Sequence, residues 1–426
     1  MSAAVQGRRK YRARCNLIAS GLLAMAWPAA AADDPASPMF SFAAFGTLGV
    51  VHTDQGKADF VSEASEAVGA GYTHSWSPAV DSLVGAQVTV NPAPRLSAVL
   101  QVISQQNYDD TFTPHVEWAN LKYQFTPDFS MRLGRTAIGL FLVSDSRYVG
   151  FANPWVRPPI EVYGLVSVSN NDGVDASYRL PMGDANNTFT VTYGRDVYRY
   201  AARAGAGIGS VTSRNQASFI DTYQRGFATL RLNYGRTHVS IPAFDGLFDA
   251  FRQFGPEGAD IAERYDVDGR LIEFYGLSAS YEPGPWFAMA EWGRVVTDSV
   301  LGNKTGWYVS GGYRFGSITP YLTYAQVRVD SNTSDPGLNL AGLPQNLAAI
   351  AGSLNAGLNA SLAAIASQRT VSTGARWDFT RNVDFKLQID RTTLGANSQG
   401  SLTNIQPGFQ RGSSLDVFSA TMDFVF

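Results

Sequence analysis

Cysteine is nearly missing from this sequence: of 426 residues only Cys15 is one, and it falls in a leading segment expected to be removed. A chain without disulfides has to close on packing and backbone hydrogen bonds. Long apolar runs are missing too. Hydrophobic residues make up 45% of the chain, yet nothing past the extreme N-terminus approaches the roughly 20 consecutive apolar residues of a membrane-spanning helix, which excludes a helical membrane protein. Lysine is scarce. Beyond the leader only Lys57, Lys122, Lys304 and Lys386 remain, so positive charge rests on arginine, which stays ionised even in a confined pore. There is no Gly-x-Ser-x-Gly, no His-Glu-x-x-His and no phosphate loop, and histidine is limited to His52, His74, His115 and His238.

The leader itself is informative. A basic stretch from Arg8 to Arg14, an apolar stretch from Leu17 to Trp27 and small residues ending Ala30-Ala31-Ala32 predict an export signal over 1–32, leaving 33–426 as the mature domain. Arg8-Arg9 invites comparison with a twin-arginine signal, but that route carries folded cargo, and a general secretory signal is the preferred reading. Its loss removes five basic residues and no acid, taking the formal charge from −3 to −8, which argues against nucleic acid as a partner.

What the sequence has in abundance is two-residue alternation. Phe418, Ala420, Met422, Phe424 and Phe426 fall on one face of the last segment, against Ser419, Thr421 and Asp423. Val84, Ala86, Val88 and Val90 alternate with Gln87 and Thr89. Val383, Phe385, Leu387 and Ile389 alternate with Asp384, Lys386, Gln388 and Asp390. One such strand fits a soluble sandwich as well as a barrel; the count and the connections decide. The pattern predicts sixteen strands near 40–52, 79–91, 95–106, 114–125, 129–136, 173–180, 188–195, 225–234, 236–244, 271–281, 286–294, 305–315, 318–327, 370–379, 383–391 and 414–426. Connections after even-numbered strands are tight and turn-rich, such as Asn91-Pro92-Ala93-Pro94 and Glu282-Pro283-Gly284-Pro285, and those after odd-numbered strands are mostly long. Bare strand edges cannot exist in hydrocarbon, so the expected fold is all-β, a closed transmembrane antiparallel barrel. Tyr123, Phe125, Phe129, Trp286, Trp292, Trp307, Tyr313, Phe315, Trp377 and Phe379 gather near strand ends, as interfacial girdles require.

Three stretches carry a family likeness: the ending Met422-Asp423-Phe424-Val425-Phe426, the strand-turn-strand from Leu121 through Thr126-Pro127-Asp128 to Arg135, and the long segment that follows it. Over essentially all of its mature length the chain resembles the Gram-negative general porins, sixteen-stranded trimeric barrels. The resemblance implies a passive diffusion channel for small hydrophilic solutes and ions, placed in the bacterial outer membrane among its lipid and lipopolysaccharide. It also implies a homotrimer, no cofactor and no enzymatic activity. Phe424 and Phe426 would be the signal read by the barrel-assembly machinery, and the third loop would fold inward to narrow the pore. Alternatives are a substrate-preferring channel, marked by a lumenal row of aromatics with a charge ladder, or a non-conducting barrel acting as adhesin, receptor or lipid-modifying enzyme.

That third loop, 136–172, is too long to be structureless and too apolar to stand in water, so it is expected to pack inside the barrel. Its apolar side would lie on the wall. Asp145 and Glu161 are expected to face the channel, with Arg147, Arg157, Tyr148 and Tyr163 completing the constriction and Lys122, Arg132, Arg179, Arg314, Arg376 and Lys386 opposing from the lumen wall. The competing expectation pairs Asp145 and Glu161 with Arg147 and Arg157 as mere struts. In the seventh loop, 328–369, Leu343, Leu347, Ile350, Leu354, Leu358, Leu362 and Ile365 repeat at helical spacing, which predicts an amphipathic helix needing a partner at the barrel mouth or on a neighbouring subunit. A shorter helix is expected over 247–254. His238 and Ser240, expected on the lumenal face with Val239 and Ile241 toward lipid, are a weak base and nucleophile pair. Asp266-Val267-Asp268-Gly269 lacks the rest of a calcium loop and is expected to be a turn.

Overall fold

A computed structural model describes residues 38–426 except 67, 167 and 202–207; the expected leader, 1–32, lies outside these. The alternation resolves into sixteen long strands: β1 (Phe40–Thr53), β2 (Leu83–Ala93), β3 (Leu96–Gln105), β4 (His115–Thr126), β5 (Phe129–Ala137), β6 (Asn170–Met182), β7 (Ala185–Ala201), β8 (Ile208–Arg225), β9 (Ala228–Ser240), β10 (Arg270–Tyr281), β11 (Trp286–Thr297), β12 (Lys304–Tyr313), β13 (Ile318–Val329), β14 (Gln368–Asp378), β15 (Val383–Leu394) and β16 (Ser414–Val425). Each pairs antiparallel with its neighbours in sequence, and β1 pairs with both β2 and β16, which closes the barrel.

The two faces are inverted relative to a soluble protein. On β16, Val417, Ser419, Thr421 and Asp423 are buried toward the interior, while Phe418 and Met422 stand exposed outside. Leu48, Leu100, Leu133, Leu232, Leu322 and Leu387 repeat this around the circumference, each at least half of an open side chain or close to it. An exposed apolar outer face over a polar, hydrogen-bonded inner face is what a transmembrane barrel requires. At the short-turn rim the aromatics pair ring to ring, Tyr123 with Phe125, Tyr281 with Trp286, Tyr313 with Phe315 and Trp377 with Phe379, forming one girdle.

The count of sixteen agrees with expectation, but two strands are placed differently. The segments expected at 225–234 and 236–244 are a single strand, β9, and the true eighth strand, β8, is the polar stretch before them. A bulge between Arg214 and Ala217, with Asn215 at φ 50°, flips the face parity midway along β8, so its apolar residues never alternate in one phase. Gly235, expected as a turn, lies mid-strand facing Leu140 of the third loop; the real turn is at Gly226, whose φ of 57° suits a residue without Cβ. The parity of 236–244 is therefore reversed. Val239 and Ile241 are buried inside, and His238 is exposed on the outer face, with Ser240 accepting a hydrogen bond from the Gly269 amide.

The long connections fold over and into the mouth. Loop 1 (54–82) packs Ala58, Phe60, Ala70 and Val80 near Leu394 and Leu402, and buried Asp59 accepts hydrogen bonds from Thr73 and Asn404. Besides the short α1 (Ile160–Tyr163) in loop 3, loop 5 forms α2 (Asp245–Arg252) and α3 (Gly255–Tyr265), and loop 7 forms α4 (Gln345–Leu362). The stripe of α4 is covered in part within the chain: Ala351, Leu358 and Leu362 pack against Phe248, Phe251 and Ile261 of loop 5, while Leu347 and Ile350 stay exposed. Asp266, at the suspected calcium fragment, is held by Arg252 and accepts from the Asp268 amide, a turn as expected. Replacing 343–365 with a short linker is expected to leave a conducting barrel whose loop 5, stripped of its cover at Phe248 and Phe251, becomes readily cleaved in limited proteolysis. Loss of current from a folded barrel would contradict this.

Candidate functional site in the barrel interior

The third loop, 138–169 between β5 and β6, is built from apolar residues at positions that meet the inner wall. Trp155, buried to 1% exposure, donates its indole N–H to Ser310 Oγ (2.8 Å) and Thr323 Oγ1 (3.1 Å) on β12 and β13, with Tyr308 edge-on at 5.7 Å. Phe141 lies against Tyr163 (4.7 Å) and Phe274 on β10 (5.5 Å). A tryptophan in an otherwise polar wall is affordable only when its N–H finds a partner, and the paired hydroxyls supply two acceptors. Backbone groups that a loop leaves open are met from the wall. Asn233 donates to Leu140 O (2.7 Å), Arg231 to Gly139 O (3.1 Å), Gln388 accepts from the Val156 amide (3.1 Å) and Glu291 from the Leu142 amide (2.8 Å). All these wall residues belong to β9–β15, so the loop is seated on one side of the interior.

Charge does the rest of the anchoring. The Arg157 guanidinium reaches Asp81 (2.9 Å from Nε, 2.5 Å from Nη2), Asp390 (3.1 Å) and Ser419 (2.6 Å), tying loop 3 to loop 1 and to β15 and β16 at once. Arg147 pairs with Glu63 of loop 1 at 2.8 Å and lies over the Tyr148 ring at 5.0 Å. Neither arginine pairs with Asp145 or Glu161, so the expected internal struts are replaced by bonds to other elements. Between loops 1 and 3 a cavity of about 100 Å³ remains, lined in part by Glu63, Asp81, Arg147, Tyr148 and Tyr198.

Glu161 is the clear departure from expectation. It does not face the channel: α1 presses it against the wall at 3% exposure, where Gln368 Nε2 (2.8 Å) and Thr370 Oγ1 (2.5 Å) donate to it. Burial pushes its carboxyl above the usual range, and those two donors pull it partly back. Tyr163 is equally enclosed, its hydroxyl donating to Glu291 at 2.7 Å. Glu291 was not singled out from sequence, yet Tyr163, Tyr308 (2.9 Å), Ser278 (2.8 Å) and the Leu142 amide converge on its two oxygens. The signal available was an acid at inward parity between Met289 and Gly293.

The proposed wall bases divide by location. Lys386, fully buried, donates to Gly150 O of loop 3 (2.6 Å) and pairs with Asp423 (2.9 Å); Arg376 donates to Phe151 O (2.5 Å) and Asn153 O (3.2 Å) and pairs with Asp384 (3.1 Å). These two hold the loop rather than face solute. Arg179 pairs with Asp128 (2.8 Å) near the short turns, and Arg314 pairs with Glu282 (2.9 Å) at that rim, 40% exposed and below any constriction. On the open side, Arg132 binds Asp175 through Nε (2.9 and 3.0 Å), and Lys122 lies in register with it, with no carboxylate in ion-pairing range among the described residues. Asp145, alone among the loop's charged residues, is exposed. The aqueous face is thus bounded by Asp145 on one side and by Lys122 and the Arg132–Asp175 pair on the other. Among the described residues of this face, Asp145 and Lys122 make no ion pair, which sets one acid against one base across the opening.

No known protein family matches the sequence, and no curated protein matches it either. Similar folds occur among solved structures. OmpF of Salmonella typhi, solved in complex with daunomycin, is 12% identical, with 91% of this chain and 97% of that one covered and a TM-score of 0.53. An anion-selective porin from Comamonas acidovorans is 13% identical (91% and 100% covered, TM-score 0.49), and OmpT of Vibrio cholerae is 9% identical (92% and 99% covered, TM-score 0.49). The first of these likenesses places the chain in the architecture of outer-membrane barrels of the porin kind, as a fold.

Proposed function

We propose that the chain is an outer-membrane channel that passes small hydrophilic solutes and ions by diffusion, as a homotrimer and without covalent chemistry or a cofactor. The observation that carries this is the one-sided seating of loop 3. It covers the inner wall on β9–β15 and leaves the opposite wall lined by polar groups, with Gln124, Ser130, Arg132, Ser177 and Thr190 only partly buried. A barrel meant to be sealed has no use for an uncovered polar wall. The outer face of β1–β4, by contrast, is smooth and apolar through Val84, Val102, Val116 and Leu121, which suits contact with a second copy.

Reconstitution in a planar bilayer tests the channel, with nanosiemens-scale conductance as the expected result and no current as the contrary one. Selectivity separates the two loop acids. Asp145→Asn removes the exposed negative charge at nearly constant volume, so the reversal potential across a salt gradient is expected to shift toward anions. Glu161→Gln should leave it unchanged, because that carboxylate is sealed behind α1. Equal shifts from both would show that α1 does not shield Glu161.

A further inference from the structure

Loop 1 roofs the cavity that it shares with loop 3. From the rim between β1 and β2 it runs across to distant elements, with Glu63 on Arg147 of loop 3 (2.8 Å), Ser65 O accepting from the Ala201 amide of β7 (3.2 Å) and Val68 O accepting from Gln106 Nε2 just past β3 (3.1 Å). The space beneath, about 100 Å³, has room for roughly seven to ten waters or for one compact organic solute. Its wall carries more acid than base. Glu63, Glu66 and Asp81 line it against Arg147 and Arg157, and both guanidinium groups are taken, Arg147 by Glu63 and Arg157 by Asp81 together with Asp390 from outside the cavity.

Glu66 is the acid left over. It is 5% exposed, and its two oxygens accept from Ser62, Oε2 from the amide (3.1 Å) and Oε1 from the hydroxyl (2.8 Å), with no cation in ion-pairing range among the described residues. Burial pushes its carboxyl well above the usual range, Glu63 adds to that push, and the Ser62 bonds pull it partly back. Gln106, 3% exposed on the same cavity, holds a second unmet acceptor. Its amide nitrogen donates to Val68 O and to Asp110 Oδ1 (2.7 Å), which fixes the orientation of the group and leaves Oε1 buried without a hydrogen-bond partner.

A buried carboxyl without a cation and a buried carbonyl without a donor are both completed by a positively charged hydrogen-bond donor. We propose that the cavity between loops 1 and 3 is a binding site for a small organic cation bearing a primary ammonium group, whose N–H groups are met by Glu66 and Gln106 and whose carbon part lies against Ile160 and Tyr198. A carboxylate-bearing solute gains nothing further here, since both guanidinium groups are already paired. The site rests on the channel reading above only for its access from the mouth.

Isothermal titration calorimetry on the folded, detergent-purified protein tests the site with three small probes: n-propylammonium, tetramethylammonium, which has the charge but no N–H, and propionate. n-Propylammonium is expected to bind well ahead of tetramethylammonium, and propionate not at all. Glu66→Gln keeps the side chain's volume, removes the charge and should weaken n-propylammonium by about tenfold or more, the effect of one lost charge-assisted hydrogen bond. Asp184→Asn, an exposed acid at a short turn paired with Arg225, should change nothing. Tetramethylammonium or propionate bound as tightly as n-propylammonium, an unaltered affinity in Glu66→Gln, an equal loss in Asp184→Asn, or no binding of any probe would each overturn the site. If Glu66→Gln does not fold, the order of the three probes on the unaltered chain still decides. Conductance is recorded on the same preparation: current without n-propylammonium binding removes this site alone, and binding without current removes the channel reading and leaves the site.

Discussion

A chain carrying Arg157→Ala is expected to keep its barrel and lose its steady current. The guanidinium, 8% exposed, is the common partner of Asp81 and Asp390, which are even more buried, and it also donates to Ser419. Truncation leaves two carboxylates enclosed without a cation, and breaking a buried pair from one side costs about 3–5 kcal/mol. That cost falls on loop 3, because the strands are held by their own backbone ladder. The chain around Pro158 should leave the wall and sample the lumen, so the bilayer trace should show frequent transitions and a changed mean conductance. Arg157→Lys restores the charge but not the fork that reaches three partners from three nitrogens, and should recover only part of the steadiness. A quiet trace of unaltered amplitude from Arg157→Ala would mean that the apolar seat of Trp155 and Phe141 holds the loop unaided.

Removing Phe426 should have the larger effect on yield. At the seam where the barrel closes, the Phe426 amide donates to Ala44 O (2.8 Å) and the Ala44 amide to Phe426 O (2.9 Å), and the ring lies 6.0 Å from Phe424. Without that residue two backbone groups of β1 face lipid unpaired at the short-turn rim, each at a cost of several kcal/mol. Heat-modifiable barrel in the outer membrane is expected to fall sharply while exported chain accumulates in the periplasm. Phe426→Ala keeps both backbone bonds, so it separates the seam from the aromatic ring: recovery assigns the defect to the bonds, and continued failure assigns it to the side chain. Normal barrel levels without Phe426 would contradict both.

Several parts of this protein were legible in its residues. The last strand, from Ser414 to Val425, was read within one residue because its apolar and polar residues never leave phase. The helix of loop 7 was read from leucine spacing, and the tight turns from Pro, Gly and Asp at short intervals. Where phase is interrupted, the pattern misleads: the bulge at Arg214–Ala217 hid β8 and reversed the assigned face of His238.

The interior divides along the same line. Length and apolar content alone determined that residues 138–169 had to be covered, since a loop of that composition pays too much in water. Which of its charged residues met solute was a matter of partners from distant strands. Glu161 found Gln368 and Thr370, more than 200 residues away, and was sealed, whereas Asp145 found no partner among the described residues and stayed open. Lys386 and Arg376, equal to Lys122 by parity, were drawn onto loop carbonyls because the loop happened to settle on their side of the barrel. Periodicity is a property of neighbours in the chain, so the sequence by itself determined the closed sheet and, wherever the alternation keeps its phase, the strands and their faces. Exposure within a lumen depends on what lies across it, and only the tertiary structure could decide that.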